Sequence, residues 1–148
     1  MAFSRTKTYT IDAAQSAIQR YCAFQERCQS EVEERLRSMG VLPEAQAELV
    51  ADLMANGFLN EERFARAFAR GKFRIKGWGP RKIAQGLQAK RVSSACIALG
   101  MSELNDEEVR TYLSRQRSKY PDDQQWIAWC LRKGYDLAAA KEAMAGAD

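Results

Sequence analysis

Two apolar residues four positions apart, followed by a third five positions further on, recur three times in this chain. The sets are Val32, Leu36 and Val41; Ile83, Leu87 and Val92; and Trp126, Cys130 and Tyr135. Residues four apart share one side of a helix, and the residue just before the third member (Gly40, Arg91 and Gly134) stands where a helix closes in a left-handed cap. The three reference positions are 51 and 43 residues apart, an irregular period longer than that of common helical repeats. A unit of about 45 residues buries little apolar surface alone, so neighbouring units must share cores. The expected fold is all-α: three tandem three-helix repeats forming an elongated, curved array with a long concave face.

Start and stop signals divide the chain accordingly. Residues 1–10, with Arg5, Lys7 and several hydroxyl residues, lack an apolar period and read as a loose N-terminal arm. Repeat 1 spans 11–57. It has a helix whose apolar stripe takes in Ile11, Ala14, Ala17, Ile18, Tyr21, Cys22 and Phe24, a second over 30–39 that Gly40 closes, and a third opened by Pro43. Leu49, Val50, Leu53 and Met54 form the buried stripe of that third helix. Repeat 2 spans 58–102, with helices at 60–76, 80–90 and 93–100. Repeat 3 spans 103–148, with helices at 105–118, 123–133 and 136–145.

Charge is concentrated in the middle. Residues 60–92 hold ten basic and two acidic side chains, whereas 1–59 and 93–148 are each net acidic. A local excess of this kind attracts a nucleic acid or an acidic protein surface to one place. The four cysteines form no Cys-x-x-Cys pair and the chain has no histidine, so neither a metal centre nor another cofactor is expected. Cys22 and Cys130 read as small buried hydrophobes. Without a glycine-rich phosphate loop, histidine or cysteine relay, the chain is not expected to be an enzyme. Asp106-Glu107-Glu108 reads as the negative first turn of a helix. The chain lacks an apolar run of spanning length, and a cytoplasmic, monomeric protein is expected.

The strongest local signal is the stretch from Gly57 to Ile83. Asn60 suits a helix N-cap and Glu61 and Glu62 its positive end, while Phe64, Phe68 and Ile75 recur at helical spacing. Arg63, Arg66, Arg70 and Arg74 are spaced three, four and four and share one face. With Lys72, Lys76, Arg81, Lys82, Lys90 and Arg91 they form the candidate surface for a partner or nucleic acid. The alternative for that stripe is an ordinary solvated face. Trp78, between two glycines, either stacks on an exposed base or partner, or packs over Phe64 and Phe68 as a staple between helices. Gly79-Pro80 sets the entry of the next helix, whose free amides would attract an anion beside Arg81 and Lys82. A different class of function uses that helix as the reading element of a stand-alone DNA-binding regulator, since Arg81, Lys82, Gln85, Gln88 and Lys90 are residue types that read bases.

The order of residues resembles the RecX family of bacterial regulators of the RecA recombinase. Gly57-Phe58-Leu59-Asn60-Glu61-Glu62-Arg63-Phe64-Ala65 is similar to the family's Gly-aromatic-Leu-Asp-Asp/Glu-x-x-Phe-Ala block. Gly77-x-Gly79-Pro80-x-Lys82-Ile83-x-x-x-Leu87-x-x-Lys90 is similar to the next one, and Arg27, Glu31, Val32, Arg35, Leu36 and Gly40-Val41 to the line in the first repeat. Cys28 stands where the family has Ser, Asn60 where it usually has Asp, Gly86 where it has Glu, and Arg91 where it has a helix-ending Gly. The resemblance implies three tandem three-helix units. It further implies a non-catalytic protein of recombination, DNA repair and the SOS response. Such a protein binds the RecA filament on DNA and inhibits or tunes filament growth, strand exchange and the partner's ATP hydrolysis. The resemblance names no contact residues, so the candidate surface rests on charge and spacing.

Overall fold

In the computed structural model, which describes residues 9–146, all regular structure is helical. The order is α1 Ile11–Phe24, α2 Gln29–Ser38, α3 Pro43–Ala55, α4 Glu61–Lys76, α5 Pro80–Ala89, α6 Ser94–Met101, α7 Asp106–Arg117, α8 Asp123–Lys133 and α9 Leu137–Ala145. Residues 1–8 of the expected N-terminal arm lie outside the described residues; Tyr9 packs on the first core and the Thr10 side chain caps α1. Asn60, Ser93, Asn105, Asp122 and Asp136 each accept the third-residue amide of the helix they open, so five starts are fixed by one short polar side chain apiece.

Helix packing is concentrated within α1–α3, α4–α6 and α7–α9, which gives three tandem three-helix units. All nine residues of the repeated apolar skeleton are buried. The reference positions share one backbone conformation, with φ of +80° at Gly40, +60° at Arg91 and +99° at Gly134. After each, the next amide donates back to the carbonyl five residues earlier: Val41 to Leu36, Val92 to Leu87 and Tyr135 to Cys130. The recurring pattern is thus a left-handed helix stop that folds the following apolar residue under its own helix. Arg91 adopts it without glycine's freedom. Gly57 and Gly77 close α3 and α4 in the same left-handed region.

The core departs from the expected one on α4. Phe64 is buried and Phe68 half-buried, but Ile75 is 81% exposed, and Ala65, Ala69 and Phe73 form the buried line instead. The reason is close approach: α6 packs along that line, and a Cβ on Gly100 would stand 2.7 Å from the Ala65 carbonyl oxygen. Small residues admit the neighbouring helix, whereas Ile75 lies at the far end of α4. Met54 is likewise exposed, outside the Leu49, Val50 and Leu53 stripe, and so are Ile11 and Phe24 at the two ends of α1, beyond the reach of α2 and α3. Cys22 and Cys130 are buried as expected, and burial pushes the Cys130 thiol up to about 11. Gly86, a departure from the family pattern that costs helix propensity, leaves room for Phe68, whose ring would come within 2.9 Å of an added Cβ.

The two junctions between units are built differently. Between units 1 and 2, side chains dominate. Cys28 joins the core of the second unit, and the Ser30 hydroxyl donates to the Lys90 carbonyl at 2.7 Å. Lys90 pairs with Glu31 at 3.0 Å, and Arg63 with Glu26 at 2.6 Å. Burial raises the Glu31 carboxyl, but bonds from the Cys28 amide and the Lys90 ammonium outweigh it and hold Glu31 below the usual carboxylate range. Glu61 accepts the Gln29 amide, and its burial, with Glu33 nearby, moves its carboxyl up.

Between units 2 and 3 the main chain dominates. The Gly79 amide donates to the Lys133 carbonyl at 2.7 Å, the Arg81 amide to Gly134 at 3.0 Å, and the Tyr135 hydroxyl to Gly77 at 3.0 Å. A Cβ on Gly79 would stand 2.6 Å from the Gly134 carbonyl, and one on Gly134 2.6 Å from the Lys82 amide nitrogen. Glycine is needed on both sides because two backbones touch.

Candidate nucleic-acid interface

The basic residues of the middle unit separate into two groups on different sides of α4. At about 100° per residue, Arg63, Arg66, Arg70 and Arg74 fall within an arc of about 80°, and Lys72 and Lys76 project from roughly the opposite side. All four arginines are paired with carboxylates. Arg63 meets Glu26 and also donates to the Gly57 carbonyl, Arg66 meets Glu62 and Glu103, Arg70 meets Glu103 at 3.1 Å, and Arg74 meets Glu108 at 3.3 Å. Bonds that Arg66 donates to Glu62 and then Glu103 hold its guanidinium more firmly protonated. Of the remaining candidates, Lys90 is held by Glu31 and Arg91 lies 3.7 Å from Glu33. The arginine face is therefore a row of ionic ties to α1–α2 and to the α6–α7 region.

Lys72, Lys76, Arg81 and Lys82 have no carboxylate within 4 Å among the described residues. They gather around the turn that ends α4 and starts α5. Trp78 is its centre: half-buried, packed edge-on against Phe68 with ring centroids 6.4 Å apart, and approached by the Lys72 and Lys82 ammonium groups, each 4.8 Å from its ring centre. Its contact with Phe68 is the packing that a staple between helices requires, and the two cations sit on the ring that the stacking alternative would use. A fifth cation, Lys133 at the end of α8, enters from the third unit and donates to the Lys76 carbonyl at 3.0 Å. Sequence spacing cannot find Lys133, because only the contact between the 77–79 turn and Gly134 brings it there.

Two of the amides around the start of α5 are in use. Pro80 has none, and those of Gly79 and Arg81 are bonded to Lys133 and Gly134, so attraction for an anion rests mainly on the side-chain cations. Beside the cluster, a groove of about 700 Å³ runs between the start of α5, α7 and α9. Its lining mixes Arg81 and Arg110 with Asp106, Asp136 and Glu142, so it does not extend the cationic surface. Asp106, Glu107 and Glu108 sit in the first turn of α7, as their sequence suggests. Trp126 is structural: it is fully buried and its indole N–H donates to the Ala140 carbonyl at 2.9 Å. Among the described residues, no helix is long and apolar enough to cross a membrane.

Comparison with known proteins places this architecture. Residues 60–101 match the family model described as RecX, second three-helix domain. The regulatory protein RecX of Lactobacillus johnsonii is 33% identical over 88 residues, covering 60% of this chain and 32% of that protein. The regulatory protein RecX of Photobacterium profundum is 29% identical over 91 residues, covering 62% and 34%. The chain thus matches about a third of the length of these curated relatives. A crystal structure of RecX from Lactobacillus salivarius superposes with a TM-score of 0.81 at 20% identity, covering 93% of this chain and 96% of the other. A second crystal structure, of regulatory protein RecX, gives 0.79 at 17% identity, covering 91% and 73%. The family-model match includes the helix pair and glycine turn that carry the cationic cluster, and the fold match runs through all three units; the chain is thus similar to RecX proteins in sequence over its middle unit and in fold throughout.

Proposed function

We propose that this protein is a non-catalytic regulator that binds RecA recombinase filaments on DNA and inhibits or modulates filament growth, strand exchange and the filament's ATP hydrolysis. The observation that carries the reading is the cluster of Lys72, Lys76, Arg81, Lys82 and Lys133 around Trp78, free of carboxylates among the described residues at the joint between two units. Uncompensated cations on a rigid turn suit phosphate. Successive helical units give a single chain several points of purchase on a repeating polymer. A protein held in this way obstructs incoming duplex or subunit rearrangement without chemistry of its own.

The decisive experiment measures strand exchange and ATP hydrolysis by the cognate RecA across a salt series. It uses the wild-type protein, a Lys72→Glu/Lys82→Glu variant and an Arg70→Glu/Arg74→Glu variant. The lysine reversal is expected to abolish inhibition with the helical circular dichroism unchanged. The arginine reversal, which sets new carboxylates against Glu103 and Glu108, is expected to act through lowered stability. Full inhibition by a folded lysine variant would refute the assignment of the surface.

A second reading has its own support, because Arg81, Gln85 and Gln88 form an exposed stripe on α5 while Ile83 and Leu87 face the core. That is the layout of a helix able to lie in a DNA groove. Footprinting separates the two: protection of a defined sequence without RecA supports a stand-alone DNA-binding regulator, and filament-dependent binding supports the first reading.

A further inference from the structure

Unit 1 carries a second arrangement of aromatic rings and free cations, which charge counting along the sequence conceals. Tyr21 and Phe24 end α1, Arg27 follows in the connection, and Arg35 lies on α2. The Arg27 guanidinium carbon sits 3.8 Å from the Tyr21 ring centre and 6.0 Å from that of Phe24, and Arg35 approaches Tyr21 at 5.4 Å. Arg27 Nε donates to the Tyr21 carbonyl at 3.1 Å, which fixes the guanidinium over the ring. Phe24 is 82% exposed, and neither arginine has a carboxylate within 4 Å among the described residues.

Three of the eight acidic residues within 1–59 are spent elsewhere. Glu26, Glu31 and Glu33 turn toward Arg63, Lys90 and Arg91 at the junction with unit 2. What remains is the exposed Phe24 ring, beside a half-buried Tyr21 and two guanidinium groups with no carboxylate partner among the described residues. The same chemistry stands in unit 2, where Trp78 is flanked by Lys72 and Lys82. In unit 2 the lysines cover the ring, whereas in unit 1 Phe24 stays open to solvent beside its cations, as a polymer with a planar ring and an anion in every residue requires.

We infer that Tyr21, Phe24, Arg27 and Arg35 form a second binding site for single-stranded nucleic acid, in which an unpaired base packs on Phe24 and the neighbouring phosphates meet Arg27 and Arg35. Exposed bases are a property of a single strand, since those of a duplex are stacked on one another. The inference rests on the nucleic-acid reading of the lysine cluster only in sharing its ligand; the residues and the unit are different.

The test is fluorescence anisotropy of a labelled oligothymidylate of about 20 nucleotides, long enough to span more than one site, titrated with the full chain. Phe24→Ala is expected to weaken binding about fivefold or more, as loss of one stacked base does, and Phe24→Trp to preserve it. Arg35→Gln should weaken binding and lower the salt slope by about 0.7, as loss of one phosphate contact on a single strand does. On an abasic strand of the same length, Phe24→Ala should have no effect. Wild-type affinity of Phe24→Ala for the oligothymidylate overturns the inference. If Lys72→Glu/Lys82→Glu weakens binding in that same experiment, the proposed function survives and only this site fails. Loss of filament inhibition by Phe24→Ala with oligonucleotide binding intact would assign the patch to a protein partner, and would equally overturn it. Phe24 is exposed, so each variant is expected to keep the wild-type circular dichroism and melting curve.

Discussion

Alanine at Gly40 and at Gly134 should have very different consequences, although both glycines occupy the same left-handed stop. At Gly40 an added Cβ meets nothing within 4 Å, so the substitution isolates the backbone cost at φ +80°. That cost is about 1–2 kcal/mol, reduced by about 0.4–1 kcal/mol because alanine also restricts the unfolded chain, which leaves about 1 kcal/mol. At Gly134 the same strain applies at φ +99°, and the methyl group would lie 2.6 Å from the Lys82 amide nitrogen. Two backbones must part to admit it. The bonds from Gly79 to Lys133 and from Arg81 to Gly134 are then lost, each worth about 1 kcal/mol net. The expected penalty is about 3 kcal/mol, threefold that of Gly40→Ala.

The assay is urea unfolding followed by circular dichroism, with amide hydrogen exchange to locate the damage. Gly134→Ala should lower the midpoint by about three times the Gly40→Ala decrement and expose the amides of Gly79 and Arg81. Gly40→Ala should leave both protected. Equal penalties, or protected amides in the Gly134 variant, would refute the claim that the joint between units 2 and 3 depends on backbone contact.

Arg91→Gly should stabilise the protein by up to about 1 kcal/mol, since it relieves φ +60° at the cost of unfolded-state entropy and a 3.7 Å exposed ion pair; thermal melting checks the sign. Trp126→Phe should destabilise by about 1–3 kcal/mol, because the Ala140 carbonyl loses its buried donor, and urea titration measures it. Glu31, held below the usual carboxylate range, stabilises fully at neutral pH and loses that contribution as pH falls through the carboxylate range; Glu31→Gln should flatten the acid limb of a stability–pH profile. Glu61, pushed up by burial, has the opposite sign: its contribution is present in acid and lost as pH rises, so Glu61→Gln should gain stability at pH 7 and not at pH 3.

The helices and their repeat were legible because caps, stops and apolar spacing are local. Asn60, Pro43, Pro80, Gly40 and Gly134 mark their ends within a few residues of where the backbone turns. The buried face of α4 was only half legible. Phe64, Phe68 and Ile75 do share a side, but alanine is neutral in a hydrophobicity count, and the Ala65–Ala69 line matters through the closeness of α6, which no local pattern encodes. The candidate surface was legible as composition and not as electrostatics. Glu26, Glu103 and Glu108 stand 37, 37 and 34 residues from the arginines they neutralise, and such partners appear only once the chain is folded. The same blindness hid Lys133 and made unit 1 look acidic.

The contrast between the two junctions bears on how the molecule gives way under load. Main-chain bonds between paired glycines are indifferent to ionic strength and to most side-chain replacements, so units 2 and 3 should move as one stiff body. Units 1 and 2 are tied by side chains, and the three ion pairs among these ties are loosened by salt. Pulled from its ends, or drawn along a moving polymer, the chain should yield first at Arg63, Lys90 and Arg91. Substitution at those three residues should therefore loosen the first unit without disturbing the pair behind it.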